Sequence, residues 1–313
     1  MTLNARKRIV PRLLSFWAIA LFGPVIAISG CALSPLATRT AAFSTAATAT
    51  VTQTTNAYQL VNQTYADTQM ATLVANYDST GFDPSKIRSF LPAKDLAVRT
   101  KVLDGLKQYA TLLAEVSGNQ PITDLETQAK ATGDALVKLQ QEDFKSFKID
   151  STEKDLAVTA VAAIGGVLIE RERARALPGI LDKMNKPIQD ICKILEDDIG
   201  TTDTPGLADA LHRDYDKQID AQETFIRTNA ATMSADQKRT EIEKLPSLVQ
   251  AQQKSDEALA ATSKSLAALA AAHSALAATK NQKDAPAFKL ELSELVQNAQ
   301  AIDSFYNSLS SKK

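Results

Sequence analysis

The chain has 313 residues, with 35 Lys and Arg against 36 Asp and Glu, and a formal net charge of −1. Two Cys, 11 Gly and 11 Pro exclude a disulfide scaffold and a collagen-like chain, and the near-zero charge argues against binding to nucleic acid, which needs a basic face. Hydrophobic residues make up 44% but aromatic residues only 5%, and this balance favours helices over sheets.

The N-terminus has the plan of a secretory signal peptide. Residues 1–12 contain four basic residues and no acidic residue, and Leu13–Ile28 is an apolar stretch that contains Gly23 and Pro24. The alternative is an uncleaved helical anchor, which needs about 18 apolar residues to span a bilayer. The stretch up to Gly30 barely reaches that length and contains a Gly-Pro pair.

The next four residues, Ile28-Ser29-Gly30-Cys31, resemble the lipobox of bacterial lipoproteins. The small side chains of Ser29 and Gly30 let a protease approach the backbone, and the Cys31 thiol is the nucleophile for a diacylglyceryl group. The resemblance implies cleavage between Gly30 and Cys31. Cys31 would then carry two or three acyl chains such as palmitate, enough for stable anchoring where one chain is marginal.

Cleavage would remove four positive charges from a chain of net charge −1 and leave −5, which disfavours strong binding to anionic lipid heads or nucleic acid. The residue after Cys31 is Ala32, which by resemblance favours the outer membrane, facing the periplasm, over the inner one. With Cys31 acylated, Cys192 has no partner for an intramolecular disulfide. It shares a helical face with Ile188, and we expect buried packing rather than pairing between chains.

The first half of the mature chain shows helical periodicity with clear interruptions. Residues 31–55 are a Thr/Ala-rich stretch that is either a tether or the start of the first helix, which we expect to end near Tyr77. Further helices are predicted over 92–116 and 121–148. Asp150-x-x-Glu153 resembles a capping box that begins another helix.

The longest apolar run of the mature chain, 156–169, follows this capping box. Its 14 residues are too few to span a bilayer and predict a helix buried on all sides, with Gly165-Gly166 permitting close helix contact or a kink. A second hypothesis is that this run inserts into a membrane, as in helical pore-forming proteins. No sequence motif supports that likeness.

The second half of the mature chain is also predicted to be helical. Pro178-Gly179 and Pro187 are expected to interrupt the chain before Gly200, and Thr204-Pro205 to form an N-cap followed by a first-turn proline. Ser234-x-x-Gln237 predicts a capping box for a long helix to about Lys280, with a bend at Pro246. The last predicted helix follows Pro286.

Together these patterns predict an all-α fold, an elongated antiparallel bundle of six to eight helices, several of them long. The predicted organisation is a cleaved signal peptide at 1–30, the tether or helix start at 31–55, and the bundle at 56–313. A sub-boundary could lie near 198–205.

Candidate catalytic and metal-binding residues are sparse. Ser151-x-x-Lys154 has the spacing of penicillin-binding enzymes, but their companion motifs are missing and a helix start explains it better. Asp209, His212 and Asp216 share one helix face that could begin a metal site, although a solvated face is the simpler interpretation. His273 replaces Leu in an apolar seam, where a hydrogen-bonded buried His is expected, with pH-sensitive packing as the alternative.

We therefore expect no catalytic residues, no metal and no cofactor. The expected function is that of a membrane-anchored scaffold or accessory subunit of an envelope assembly, which binds another envelope protein or itself through a helix face. Two alternatives stay open: a carrier of a small apolar ligand or lipid between helices near 156–195, and a membrane-inserting bundle that uses 156–169.

Overall fold

The structure is a computed structural model of the chain. It describes residues 34–75, 77, 81, 83, 85, 87–118, 125–147, 150–170 and 177–310. The predicted signal peptide and lipobox lie outside these residues, so the cleavage site Gly30 and the attachment site Cys31 remain predictions.

The described part of the chain is all-α, as the sequence predicted. It contains eight α-helices and one short 3-10 helix, and its only strand-like pairing is an isolated bridge between Thr201 and Thr204. The α-helices are α1 (Pro35–Ala75), α2 (Ala93–Gly118), α3 (Leu125–Val137), α4 (Ser151–Ile169), α5 (Leu177–Ile199), α6 (Leu207–Asn229), α7 (Ala235–Ala278) and α8 (Pro286–Ser310).

The long helices α1 and α7 run antiparallel through the bundle. Near the start of α1, Arg39 donates a hydrogen bond to Thr279 at the end of α7, and the ring of Phe43 meets that of His273 edge to face. Further along α1, Ala71 lines a groove together with Ser247, near the start of α7. Helices α2, α5, α6 and α8 pack directly on this pair, whereas α3 and α4 pack on α2, and α4 also packs on α5.

The Thr/Ala-rich stretch is helical from Pro35 onward, which favours a helix start over a tether for residues 35–55. Several of its threonine hydroxyls donate to backbone carbonyls one turn earlier, as Thr54 does to Thr50, so these hydroxyls are satisfied within the helix. Thr40 also donates to the Ser117 hydroxyl of α2, at 2.6 Å. The stretch is therefore part of the packed body.

Helix α4 begins at the predicted capping box: Asp150 accepts from the Glu153 backbone, and the Glu153 side chain accepts in return. The prediction that this helix is buried on all sides is wrong. One side packs inward through residues such as Ile164 and Leu168, while Leu156 and Ile169 are 40% and 39% exposed. Helix α4 lies at the edge of the bundle, against α2, α3 and α5.

The predicted helix over 121–148 is too long. Helix α3 ends at Val137, and a 3-10 helix follows at Gln141–Ser146. Tertiary contacts account for the break: Phe144 and Phe147 are buried, and Ser146 accepts two hydrogen bonds from Arg99 of α2. The helical periodicity of the sequence carries no information about these tertiary contacts.

The structure also differs from the predictions for Pro187, an expected interruption, and for Thr204, an expected N-cap. Helix α5 continues through Pro187, since a buried face that includes Met184, Ile188 and Cys192 outweighs the local cost of proline. Thr204 is not an N-cap. Its hydroxyl accepts from the Thr201 backbone inside a tight turn, and Gly206 occupies the cap position of α6 without a side-chain hydrogen bond.

Candidate functional site

The Ser151-x-x-Lys154 pair lies in the first turn of α4, next to the Asp150–Glu153 capping box. Ser151 is exposed, and the local hydrogen bonds are those of a helix start. The spacing is therefore explained by the beginning of a helix.

The Asp209, His212 and Asp216 face is more than a solvated surface. His212 Nδ1 lies 2.8 Å from an Asp256 carboxylate oxygen on α7, and Gln252 of α7 donates to Asp216 at 2.7 Å. The hydrogen bond to Asp256, together with the charge of that carboxylate, raises the pKa of His212. Asp209 pairs with Arg213 within α6. These residues fasten α6 to α7.

Among the described residues, no three or more His, Cys, Asp or Glu side chains are placed so that together they could hold a metal ion.

His273 is fully buried and hydrogen-bonded, as the sequence predicted. Its Nε2 lies 2.8 Å from the Tyr109 hydroxyl, and its Nδ1 lies 3.4 Å from the Asn185 amide oxygen. Burial lowers its pKa from 6.5 to about 4. The neutral ring therefore links α7 to α2 and α5.

Cys192 is also buried, in the apolar face of α5, and burial raises the pKa of its thiol well above the usual range. A buried neutral thiol is unreactive, which agrees with the predicted packing role.

A buried ion pair that the sequence analysis missed joins α2 to α5. Arg99 and Asp198 are 1% and 2% exposed, and two hydrogen bonds of 2.7 and 2.5 Å join the guanidinium to both carboxylate oxygens. The other guanidinium N–H groups donate to the Asp95 carbonyl and to Ser146, and Tyr58 of α1 donates to Asp198 at 3.1 Å. Burial, followed by the charge of Asp198, raises the pKa of Tyr58.

The sequence held a signal for this pair. Arg99 falls at the spacing of the apolar stripe that contains Leu96, Leu103 and Leu106, where an aliphatic side chain is expected. All five donors of the guanidinium are used, so the pair fits a structural role, since an Arg that holds a ligand keeps donors for it.

An exposed apolar surface lies where α1 ends. We call it the tip surface and define it by Met70, Val74 and Tyr77, which are 43%, 53% and 59% exposed. Beside it is an open groove of about 490 Å³ between α1, α6 and α7. Its lining consists of Ala71, Gln218, Gln222, Thr240, Glu243, Lys244, Ser247 and Leu248.

The segments of α6 and α7 next to the tip surface contribute few side chains to the core. After Gln218, α6 has no buried residue, and α7 has none before Gln252. Ile219 and Ile226, which the sequence placed on a core stripe, are only half-buried. The charges here are largely paired within helices, as in Arg239–Glu243 and Lys244–Glu241.

The two alternative functions point to other parts of the molecule. The carrier hypothesis places a ligand near 156–195, where Ile164, Leu168 and Ile188 are at most 2% exposed. For the membrane-inserting hypothesis, none of the helices in the described ranges has the length and hydropathy needed to cross a bilayer. Both remain predictions.

The chain matches no protein-family model, no curated protein and no solved structure.

Proposed function

We propose that the chain is a bacterial lipoprotein, held by acyl chains on Cys31 in the outer membrane, with its helical body in the periplasm. In this proposal the body acts as a non-enzymatic scaffold or accessory subunit of an envelope assembly. The signal-peptide pattern and the lipobox support the anchor. Helix α1 begins at Pro35, so only three residues separate Cys31 from the body.

The tip surface is the observation that carries the scaffold function. Helix α1 has 41 residues, which gives about 60 Å between its ends at 1.5 Å per residue. Cys31 precedes one end, and Met70, Val74 and Tyr77 lie at the other. The tip surface is therefore at the opposite end of α1 from the end that Cys31 precedes in the sequence. Neighbouring exposed apolar side chains at the end of a helix can mark a protein interface.

The tip surface also suggests the chemistry of the partner. Met70 and Val74 lie four residues apart on one face of α1, and Tyr77, beyond the helix end at Ala75, follows at a three-residue step and extends this apolar stripe. Because the neighbouring charges are paired internally, a highly charged partner would gain little here. The stripe fits an amphipathic helix of an envelope protein, which would dock its apolar face.

The scaffold proposal is tested by photo-crosslinking in the native cells. A photoreactive amino acid at Val74 is expected to label one envelope protein, and Met70→Asp should abolish that label while the chain stays in the membrane. The matched control is the same probe at Leu290 of α8, which is apolar and 67% exposed. Equal labelling from both positions, or links only within the chain, would contradict the proposal.

The anchor is tested separately, with a clickable palmitate analogue. Cys31→Ser should lose the label, while Cys192→Ser should keep it because that thiol is buried in α5. Acylation of the Cys31→Ser protein would overturn the lipoprotein assignment. Density-gradient fractionation should place the unmodified protein in the outer membrane, and Ala32→Asp is expected to move it toward the inner membrane.

A further inference from the structure

Four polar side chains join α6 to α7 in one connected group, which we call the clasp. His212 Nδ1 lies 2.8 Å from Oδ2 of Asp256 on α7, and its Nε2 lies 3.8 Å from Oδ2 of Asp216 on α6. The amide of Gln252 donates to the His212 carbonyl at 3.1 Å and to Asp216 at 2.7 Å. Both nitrogens of the imidazole therefore face a carboxylate, and two of the four residues come from each helix.

The clasp lies where the packed part of these two helices ends. Gln218 is the last buried residue of α6, and Gln252 is the first of α7. None of the residues 219–251 is buried, and we call them the distal hairpin. Within it, Gln222 donates to the Glu241 carbonyl and carboxylate at 3.1 and 2.9 Å. A segment that buries so little opens easily, and an opening that spreads from its turn meets the clasp before it meets the core.

The charge of the clasp changes when His212 gains or loses a proton. The charged groups around the imidazole and its partners are, on α6, Asp209, Arg213 and Asp216 and, on α7, Asp256 and Glu257. Within the described part of the chain, neither Asp216 nor Asp256 forms an ion pair with another cation. A protonated His212 therefore lies between two carboxylates, whereas a neutral one leaves these acids, and Glu257 beside them, without a counter-charge.

The cations that follow His212 on α6 are bound to other acids. Arg213 pairs with Asp209 at 2.7 Å, and Lys217 lies 3.4 Å from Asp214. Neither of them replaces the imidazolium in the clasp. The attraction between the two helices at this point therefore depends on the protonation of one residue.

His212 is also the imidazole that titrates near neutral pH. The chain contains two His, and burial lowers the pKa of the other, His273, to about 4. The hydrogen bond to Asp256, followed by the charges of the neighbouring acids, raises the pKa of His212. A raised pKa means that the folded clasp holds this proton more tightly than the unfolded chain. Its stabilising effect is complete below pH 6.5 and is lost as the pH rises through the folded-state pKa.

We propose that the clasp is a pH-dependent closure of the distal hairpin. While the imidazole is protonated, it attracts acids of both helices and keeps the hairpin closed. When it is neutral, α6 and α7 separate more often beyond Gln218 and Gln252. The distal hairpin forms walls of the groove beside the tip surface, through Gln222 and Ser247, so its opening changes the surface offered there. The inference rests on contacts between α6 and α7 and depends neither on the lipid anchor nor on the proposed partner.

Amide hydrogen exchange of the full chain at about pH 6 and about pH 8.5 measures this opening. Each rate is first divided by the intrinsic rate of its own sequence at that pH. Peptides from 222–249 are then expected to exchange about three- to fivefold faster at the higher pH, since a partly exposed ion pair contributes modestly. Peptides from 102–113 of α2, whose residues pack in the core, are the reference and should not change. An unchanged corrected rate in 222–249 would overturn the proposal.

Variants separate the clasp from other effects of pH. His212→Gln binds no proton, so its distal hairpin should exchange at the same corrected rate at both pH values. Asp256→Asn should lose most of the pH dependence as well. The His212 side chain is 37% exposed, so both variants should fold, and the reference peptides of α2 verify this. The matched control is Arg239→Gln, which breaks an exposed ion pair with Glu243 inside the hairpin and should keep the pH response. A full pH response in His212→Gln would show that the clasp is not its source.

Discussion

Two adjacent glycines in α4 have opposite surroundings. A Cβ on Gly165 would lie 2.9 Å from the Gly133 carbonyl oxygen and 2.9 Å from Val137, whereas a Cβ on Gly166 would meet nothing within 4 Å. The Gly-Gly sequence predicted close contact or a kink without saying which glycine makes it. The structure assigns the close contact to Gly165, and its partner is the backbone of another helix.

Alanine substitutions should therefore separate the two glycines. Gly165→Ala must push α3 and α4 apart, and we expect it to destabilise the protein by about 1–3 kcal/mol. Gly166→Ala should stabilise it by up to about 1 kcal/mol, because alanine favours the helix and nothing opposes the added methyl group. Urea unfolding measures both. Equal effects of the two changes would contradict the described packing of α3 against α4.

His273 should make the folding free energy depend on pH. Its pKa is about 4 in the folded protein and near 6.5 when unfolded, so below pH 6.5 the unfolded chain binds a proton that the folded chain does not. Stability is therefore lost as the pH falls from about 6.5 toward 4, by up to about 3 kcal/mol.

The measurement is urea unfolding at several pH values, comparing the unmodified chain with His273→Gln. The Gln variant should lose this part of the pH dependence, because it cannot bind a proton. His212→Gln is the control: the pKa of His212 is raised in the fold, so its contribution is present at low pH and is lost as the pH rises. If the unfolding free energy of His273→Gln depends on pH in the same way as that of the unmodified chain, His273 is not a buried neutral residue.

At the scale of helices, local signals succeeded where the contact is itself local. Asp150 and Ser234 both form capping boxes with the residue three positions later, as the sequence predicted. The interruption predicted at Pro187 is wrong because the buried face of α5 offsets the local cost of proline, and the N-cap predicted at Thr204 is wrong because its hydroxyl bonds with Thr201 in a turn instead. A periodic pattern reports which face is apolar. It does not report how much buried packing will offset the cost of one proline.

The Arg99–Asp198 pair shows what a single sequence conceals. The two residues are 99 positions apart, and each lies within an apolar helix face. Arg99 could have been singled out by its place in the stripe of α2. Its partner could not, because Asp198 is one of several acids at the end of α5. The pair joins α2 to α5, and Tyr58 connects it to α1.

Replacing one residue of the Arg99–Asp198 pair should lower the free energy of unfolding more than replacing both. Arg99→Met leaves a buried carboxylate without its counter-charge, and we expect a loss of about 3–5 kcal/mol. Arg99→Met with Asp198→Leu should recover much of that loss, since an apolar pair carries no desolvation penalty. Chemical unfolding of the two variants measures the difference. If the double variant is no more stable than the single one, the carboxylate is not the source of the loss.

A surface pair provides the matched control. Lys186 and Asp190 are bonded at 2.7 Å on α5, but the Lys186 side chain is 73% exposed. Lys186→Met should change the unfolding free energy by less than about 1 kcal/mol, because water screens an exposed pair.

At the scale of the molecule, burial is unevenly distributed along the same helices. From Gln252 to Ala277, α7 has a buried residue in every turn, while its first 17 residues have none. The sequence could not predict this difference, because Ile219, Ile226 and Leu245 follow the same apolar spacing as core residues. Whether another helix covers a stripe depends on where the other helices end.

Hydrogen exchange should reveal this division within one helix. Amides of residues 237–249 have few buried contacts to lose on opening and should exchange roughly a hundredfold faster than those of 255–276. The two segments lie on one helix, but 237–249 contains Pro246 and no Ala whereas 255–276 is Ala-rich, so each exchange rate is compared with the intrinsic rate of its own sequence. Mass spectrometry of the full chain in detergent measures both. Equal protection along α7 would mean that the tip is stable alone, and it would remove the energetic reason to expect a partner there.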